Sequence, residues 1–185
     1  AAHSARDGEP LRLGFLGKIE PAKGIFWLLS TLARLDDKRW TLKIGGTGRK
    51  HVMQDLHKTA ATMNIEYLEW VDPFAFLAGI DLLVVPSLWE DPMPRVAIEA
   101  IVSGVPVLVS KHGGLGEMAA LCPDAVFAFD PALPNTFVTL LQKFIDAPER
   151  ARELRQKCVV AANHFSRSTT CEEHLRVYTA AAESR

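Results

Sequence analysis

Asp81-Leu82-Leu83-Val84-Val85-Pro86-Ser87 is an apolar run of strand length, and Val105-Pro106-Val107-Leu108-Val109-Ser110 is a second. Between them stands Pro94-Arg95-Val96-Ala97-Ile98-Glu99-Ala100-Ile101-Val102-Ser103, of helical length, opening on a proline. Proline suits the first turn of a helix, where a backbone N–H has no intrahelical acceptor. Strand, helix, strand in this order is the unit that builds a parallel sheet, because a parallel return needs a crossover. One acid, Glu99, interrupts the helix, with three apolar residues on each side. Burying a carboxylate unpaired costs several kcal/mol. Glu99 therefore calls for a polar partner: a ligand such as a sugar hydroxyl pair at the helix start, or a lysine or arginine from another element. Asp91 stands eight positions earlier, in Trp89-Glu90-Asp91-Pro92.

The same alternation extends outward. Residues 11–17, 41–46, 66–71 and 125–130 read as further strands. Residues 24–35, 50–63, 73–78 and 116–121 read as the helices between strands. From 134 onward the pattern becomes helical only, over 134–145, 148–164 and 167–181, and Pro134 and Pro148 suit first helical positions. The predicted class is α/β: a Rossmann-like parallel sheet of about six strands, helices on both faces, and a helical C-terminal tail. Residues 1–10 are small, polar and charged, and read as a linker remnant ahead of one domain over 11–185.

The chain has 185 residues, 48% of them hydrophobic, enough for a substantial core. A net charge of −1 gives no global field for nucleic acid or an anionic membrane. No signal peptide or membrane-length apolar run is present. The cysteines, Cys122, Cys158 and Cys171, form no CxxC pair and read as reduced thiols in a cytoplasmic protein, without zinc.

In open parallel sheets ligands bind outside the carboxyl ends of the strands. There the sequence gathers Gly17, Lys18 and Lys23 after the first strand, and Gly45-Gly46-Thr47-Gly48 after the second. Trp70 follows the third strand, Ser87 to Pro92 the fourth, and Lys111-His112-Gly113-Gly114 the fifth. Lys18 and Lys23 near a helix start match the charge of a diphosphate, unless they are solvated surface lysines. Gly46 and Gly48 begin a dinucleotide fingerprint, with Glu69 about where a ribose-binding acid falls, but His51 stands at the third glycine position. Gly113 and Gly114 make either a turn or room for a sugar ring. Arg95 adds charge at a helix start or faces solvent.

Taken in order, Gly17, Lys23-Gly24, Gly46-x-Gly48, Pro86-Ser87, Trp89-Glu90-Asp91-Pro92, Glu99-Ala100, Gly104-x-Pro106-Val107 and Gly113-Gly114-x-x-Glu117 resemble the nucleotide-sugar-binding half of GT-B glycosyltransferases. The group is the retaining one called family four, or group one. The family pattern of an acid, seven residues, then Glu fits Asp91 and Glu99. The resemblance implies that Glu99 binds the donor ribose and Asp91 faces the transferred sugar. It implies Lys23, with Lys18 in the usual arginine place, at the diphosphate, backbone near Trp70 at the base, and Gly17, Gly46, Gly113 and Gly114 lining the donor. Lys23 and Asp91 would carry the catalytic roles.

Asp91 departs from the usual Glu by one methylene, and Met93-Pro94 replaces the commoner Phe-Gly. The implied substrate is a UDP-, GDP- or ADP-linked sugar. No metal or other cofactor is expected, in keeping with the lack of an Asp-x-Asp motif and of histidine clusters. An N-terminal acceptor domain would be the missing partner, and the fragment alone inactive. Two rival readings are a non-catalytic nucleotide-binding regulatory module and an NAD-dependent oxidoreductase domain.

Overall fold

Alternating side chains along the central strands divide the interior in two. Leu82 and Val84 point to one side of the sheet, Leu83 and Val85 to the other. Leu108 joins the first set, Val107 and Val109 the second. All are buried, so these strands are apolar on both faces, as a parallel sheet covered by two helical layers requires. The computed structural model describes residues 9–61 and 63–183. The linker reading falls mainly on residues 1–8, which lie outside the described residues.

The order is β1 (Leu11–Leu16), α1 (Ile25–Ala33), β2 (Trp40–Gly45), α2 (Lys50–Ala60), β3 (Ile65–Leu68), α3 (Pro73–Ala78) and β4 (Leu82–Val85). Then come α4 (Arg95–Val102), β5 (Val107–Ser110), α5 (Gly114–Leu121), β6 (Val126–Phe129), α6 (Pro134–Ile145), α7 (Glu149–Glu153), α8 (Arg155–Ala161) and α9 (Arg167–Glu183). Among the described residues six strands form one sheet in the order β3-β2-β1-β4-β5-β6. Every pairing is parallel. The chain runs outward from β1 to β3, then returns to lay β4 against β1. That reversal opens a crevice between the carboxyl ends of β1 and β4.

One face is covered by α1, α2 and α6. Its aromatic centre is Trp27, stacked on Phe129 at 5.2 Å, with Phe137 edge-on to both. Trp27 Nε1–H donates to the Pro131 carbonyl at 3.0 Å, so its polar end is satisfied. The other face is covered by α3, α4, α5 and α8. At the far edge, Arg12 is bound to Asp81 through two side-chain hydrogen bonds, at 2.9 and 2.6 Å, tying β1 to the start of β4. The bond to Asp81 is the main cause that raises the Arg12 pKa.

The expected elements all form, with shifted ends. The third strand stops at Leu68, because Glu69 leaves the ladder and its carbonyl accepts from Gly46 N–H instead. The fifth begins at Val107, since Pro106 has no N–H to give. The helix read over 148–164 divides into α7, α8 and a 3₁₀ turn, Ala162–Phe165. Helical hydrogen bonds still bracket Leu154, where Ala151, Leu154, Cys158 and Ala161 follow one buried stripe. No cysteine is bonded; Cys122 and Cys158 are buried and Cys171 is exposed.

Candidate functional site

A cavity of about 380 Å³ fills the crevice between β1 and β4. Its floor is the strand ends themselves, Phe15, Leu16, Val84 and Val85. The loop after β1 forms one wall. Gly17 and Lys18 leave the strand, a 3₁₀ turn (Pro21–Lys23) follows, and Gly24 turns with φ 77° into α1. This loop is locked to the one after β4, because Leu88 N–H donates to the Ala22 carbonyl at 2.8 Å.

That lock brings Lys23 to the acid after β4. Lys23 Nζ lies 2.5 Å from Asp91 Oδ2, and the Asp91 side chain is only 8% exposed. The ammonium also sits 5.1 Å from the centre of the Trp89 ring. A lysine held between a carboxylate and an aromatic face is fixed in place before any ligand arrives. Lys18 is more exposed and pairs with Glu20 at 2.8 Å.

The opposite wall is the start of α4. Pro94 precedes the helix rather than opening it, and no side chain caps the first turn. The N–H groups of Arg95 and Val96 thus have no side-chain partner beside the cavity these residues line. One turn on, Glu99 is half-buried and lines the same cavity, while its neighbours Ala97, Ala100 and Ile101 are buried in the core. Among the described residues no lysine or arginine pairs with Glu99. Of the two partners its sequence called for, the structural ion pair is therefore not made.

Seven of the nine residues expected at the donor line this one cavity: Gly17, Lys18, Lys23, Gly46, Trp70, Asp91 and Glu99. Trp70 is 83% exposed at the rim, an unusual setting for an indole ring. Gly113 and Gly114 do not line the cavity. They abut the loop that carries Asp91: a Cβ on Gly114 would stand 1.6 Å from the Pro92 carbonyl oxygen. Gly114 N–H donates to the Asp91 carbonyl at 2.9 Å. Gly46 likewise touches backbone, since its Cβ would meet the Gly17 carbonyl oxygen at 1.8 Å. The glycines join loop to loop, and the joined loops shape the cavity.

Sequence reasoning did not assign Ser87 to the site. Its residue is 1% exposed and its Oγ has no protein partner, yet it lines the cavity. Its place two residues past β4 was the available signal. The Gly46-x-Gly48 turn follows β2, the strand beside β1, and reaches the cavity through Gly46 but not Gly48, while Glu69 is exposed outside the cavity lining. A dinucleotide fingerprint sits after the first strand, at the reversal, so this turn lacks the position that the oxidoreductase reading needs. Among the described residues, no group of three His, Cys, Asp or Glu side chains is placed to hold a metal, and no helix is long and apolar enough to cross a membrane.

Comparison with known proteins agrees with this geometry. Glycogen synthase of Mycobacterium tuberculosis is 30% identical over 197 residues, covering 98% of this chain and 45% of that protein. D-inositol 3-phosphate glycosyltransferase of Segniliparus rotundus is 29% identical over 182 residues, covering 91% of this chain and 40% of that protein. The chain thus spans less than half the length of these relatives. HepE of Anabaena, solved with UDP, superposes with a TM-score of 0.79 at 18% identity, over 93% of this chain and 49% of its own. The lipopolysaccharide outer core galactosyltransferase WaaB, in apo form, gives 0.79 at 17%, over 95% and 51%. Both likenesses are of fold, that of one half of a GT-B enzyme. The model of the family "Glycosyl transferases group 1" matches residues 10–146, and the chain belongs to that family.

Proposed function

We propose that this chain is the donor-binding half of a retaining glycosyltransferase that uses a nucleotide-diphosphate sugar. The observation that carries the reading is the crevice between β1 and β4, where two lysines, two carboxylates and an uncapped helix start line one cavity. Lys18, Lys23, Arg95 and the first N–H groups of α4 take the diphosphate. Glu99, which pairs with no cation among the described residues, accepts from the two ribose hydroxyls. Trp70 offers its face or backbone to the base. Asp91 accepts from hydroxyls of the transferred sugar and holds Lys23 where the leaving diphosphate gathers charge. Preorganised positive charge at a leaving group lowers the barrier without reorganisation during the reaction.

The reading needs no metal, because side chains and backbone supply the positive charge. It leaves the reacting hydroxyl of the acceptor to be positioned by a second half. The exposed apolar residues of α9, Leu175, Val177 and Tyr178, are the surface such a half would cover. UDP is the first nucleotide to test, since HepE was solved with it. Calorimetric titration with UDP, GDP, ADP and NAD, each with and without EDTA, checks the reading. One nucleoside diphosphate should bind regardless of chelator, and NAD should not. Binding of NAD alone would reverse the assignment, and loss of binding in EDTA would restore a metal to it.

A further inference from the structure

A second concavity, of about 270 Å³, adjoins the cleft, and Lys18 lines both. Two loops form it, those after β1 and after β2. They are tied together, because Ile19 N–H donates to the Thr47 carbonyl at 2.8 Å and Ile19 pairs with Gly48 as a parallel bridge. The concavity is therefore preformed. Buried Ile19 and Val52 give it an apolar floor, and Lys18, Glu20, Arg49 and His51 stand around it.

Its charge is unbalanced. Glu20 is its single acid and is taken by Lys18 at 2.8 Å. The Lys18 ammonium, helped by Lys23 and Arg49, holds the Glu20 carboxyl below the usual carboxylate range. Arg49 and the adjoining Lys50 make no ion pair among the described residues. The region is thus positive in a chain whose net charge is −1. Arg49 also precedes α2, an 11-residue helix that no side chain caps, so the helix start adds to the same potential. Nothing in the donor reading uses Arg49 or His51.

We infer that Lys18, Arg49 and His51 form a second anion site, for a phosphate monoester carried by the acceptor. The inference rests on the donor reading for one point only: it sets Lys18 between donor diphosphate and acceptor phosphate, so the acceptor is delivered beside the leaving group. Arg49 supplies a planar fork suited to two phosphate oxygens. The apolar floor offers a surface for the carbon skeleton that bears the phosphate.

The test titrates the full 185-residue chain with inorganic phosphate, and then with a hexose 6-phosphate, followed by NMR shifts at Arg49 and His51. Each titration is run with and without saturating UDP. Both phosphates should bind in the presence of UDP, the hexose 6-phosphate more tightly, and unphosphorylated hexose should not. Arg49→Ser should weaken phosphate about tenfold and change UDP affinity less than about twofold. Full displacement of phosphate by UDP would overturn the inference, since the cations would then belong to the donor site. So would equal phosphate affinity in Arg49→Ser, or a hexose 6-phosphate that binds no better than inorganic phosphate. If UDP fails to bind while phosphate still depends on Arg49, the donor reading falls and the second anion site stands.

Discussion

Lys23 is shared between two claims on one charge. At rest it is bound to Asp91 at 2.5 Å, and in the proposed complex it faces a diphosphate. Lys23→Ala should therefore weaken a nucleoside diphosphate by about 1.5–3 kcal/mol, or roughly 10–100-fold, and a nucleoside far less. Asp91→Asn separates competition from positioning. If Asp91 competes for the ammonium, the variant should bind UDP roughly two- to tenfold more tightly, while losing any preference for a UDP-sugar over UDP. Calorimetry with both ligands checks this, and a loss of UDP affinity equal to that of Lys23→Ala would make Asp91 a positioning group instead. Glu99 gives a cleaner case, because among the described residues no cation pairs with it. Glu99→Gln removes a half-buried charge at no cost in an ion pair. The variant should be as stable as the parent in urea or slightly more so, bind nucleotide more weakly, and no longer distinguish ribose from 2′-deoxyribose. A loss of roughly 3–5 kcal/mol in stability would point to a buried pair after all.

At the level of elements, much was legible in the sequence, for a physical reason. Buried parallel strands are short apolar runs, and the runs at 81–87 and 105–110 left no other use for a helix between them. Loop contacts were less legible. In sequence Gly113 and Gly114 fit a turn or room for a sugar, and in the fold Gly114 packs against the Pro92 carbonyl. A sequence shows that a side chain is missing, and only tertiary structure shows what fills the space. The missing cation beside Glu99 and the shared cavity rim at Lys18 are tertiary in the same way. A consequence follows for α5. Gly→Ala inside a helix usually stabilises by about 0.5–1 kcal/mol. Gly114→Ala should reverse that sign and cost at least about 2 kcal/mol in chemical denaturation, because backbone must move to admit the methyl. It should also weaken a UDP-sugar, since the displaced loop carries Asp91. In α8, burial pushes the Cys158 thiol up to about 12 from 9.0. The folded state then keeps a proton that the unfolded chain releases above about pH 9. Cys158 should thus cost the fold nothing below pH 9, and about 1.4 kcal/mol per pH unit from there toward pH 12. Urea unfolding of the parent against Cys158→Ala across that range isolates the effect, and parallel pH profiles would contradict it.

At the scale of the whole molecule, the described residues wall the cleft from the side of one sheet. The cavity opens at the carboxyl edge of a single sheet, with Trp70 projecting at its rim. The last helix among the described residues, α9, buries none of its residues, and Leu175, Val177 and Tyr178 lie exposed along it. Helical stability in proteins comes mainly from packing an apolar face. None of the 17 residues of α9 is buried, so its whole surface is open to a second body. The donor reading supplies that body, an acceptor-binding half. Transfer needs acceptor and anomeric carbon held in line with water shut out, and much of the rate of a bimolecular step comes from such positioning. On that reading the chain alone holds a donor but does not assemble that geometry. It should therefore bind a nucleotide diphosphate, with a raised Tm, and release no more sugar to any acceptor than the uncatalysed rate. Joined to an acceptor half of the same family, it should transfer, and hydrogen exchange in residues 167–183 should slow as the second half docks. Robust transfer by the isolated chain would show that the cleft is complete on its own. Unchanged exchange along α9 in an active two-part enzyme would place the docking surface elsewhere.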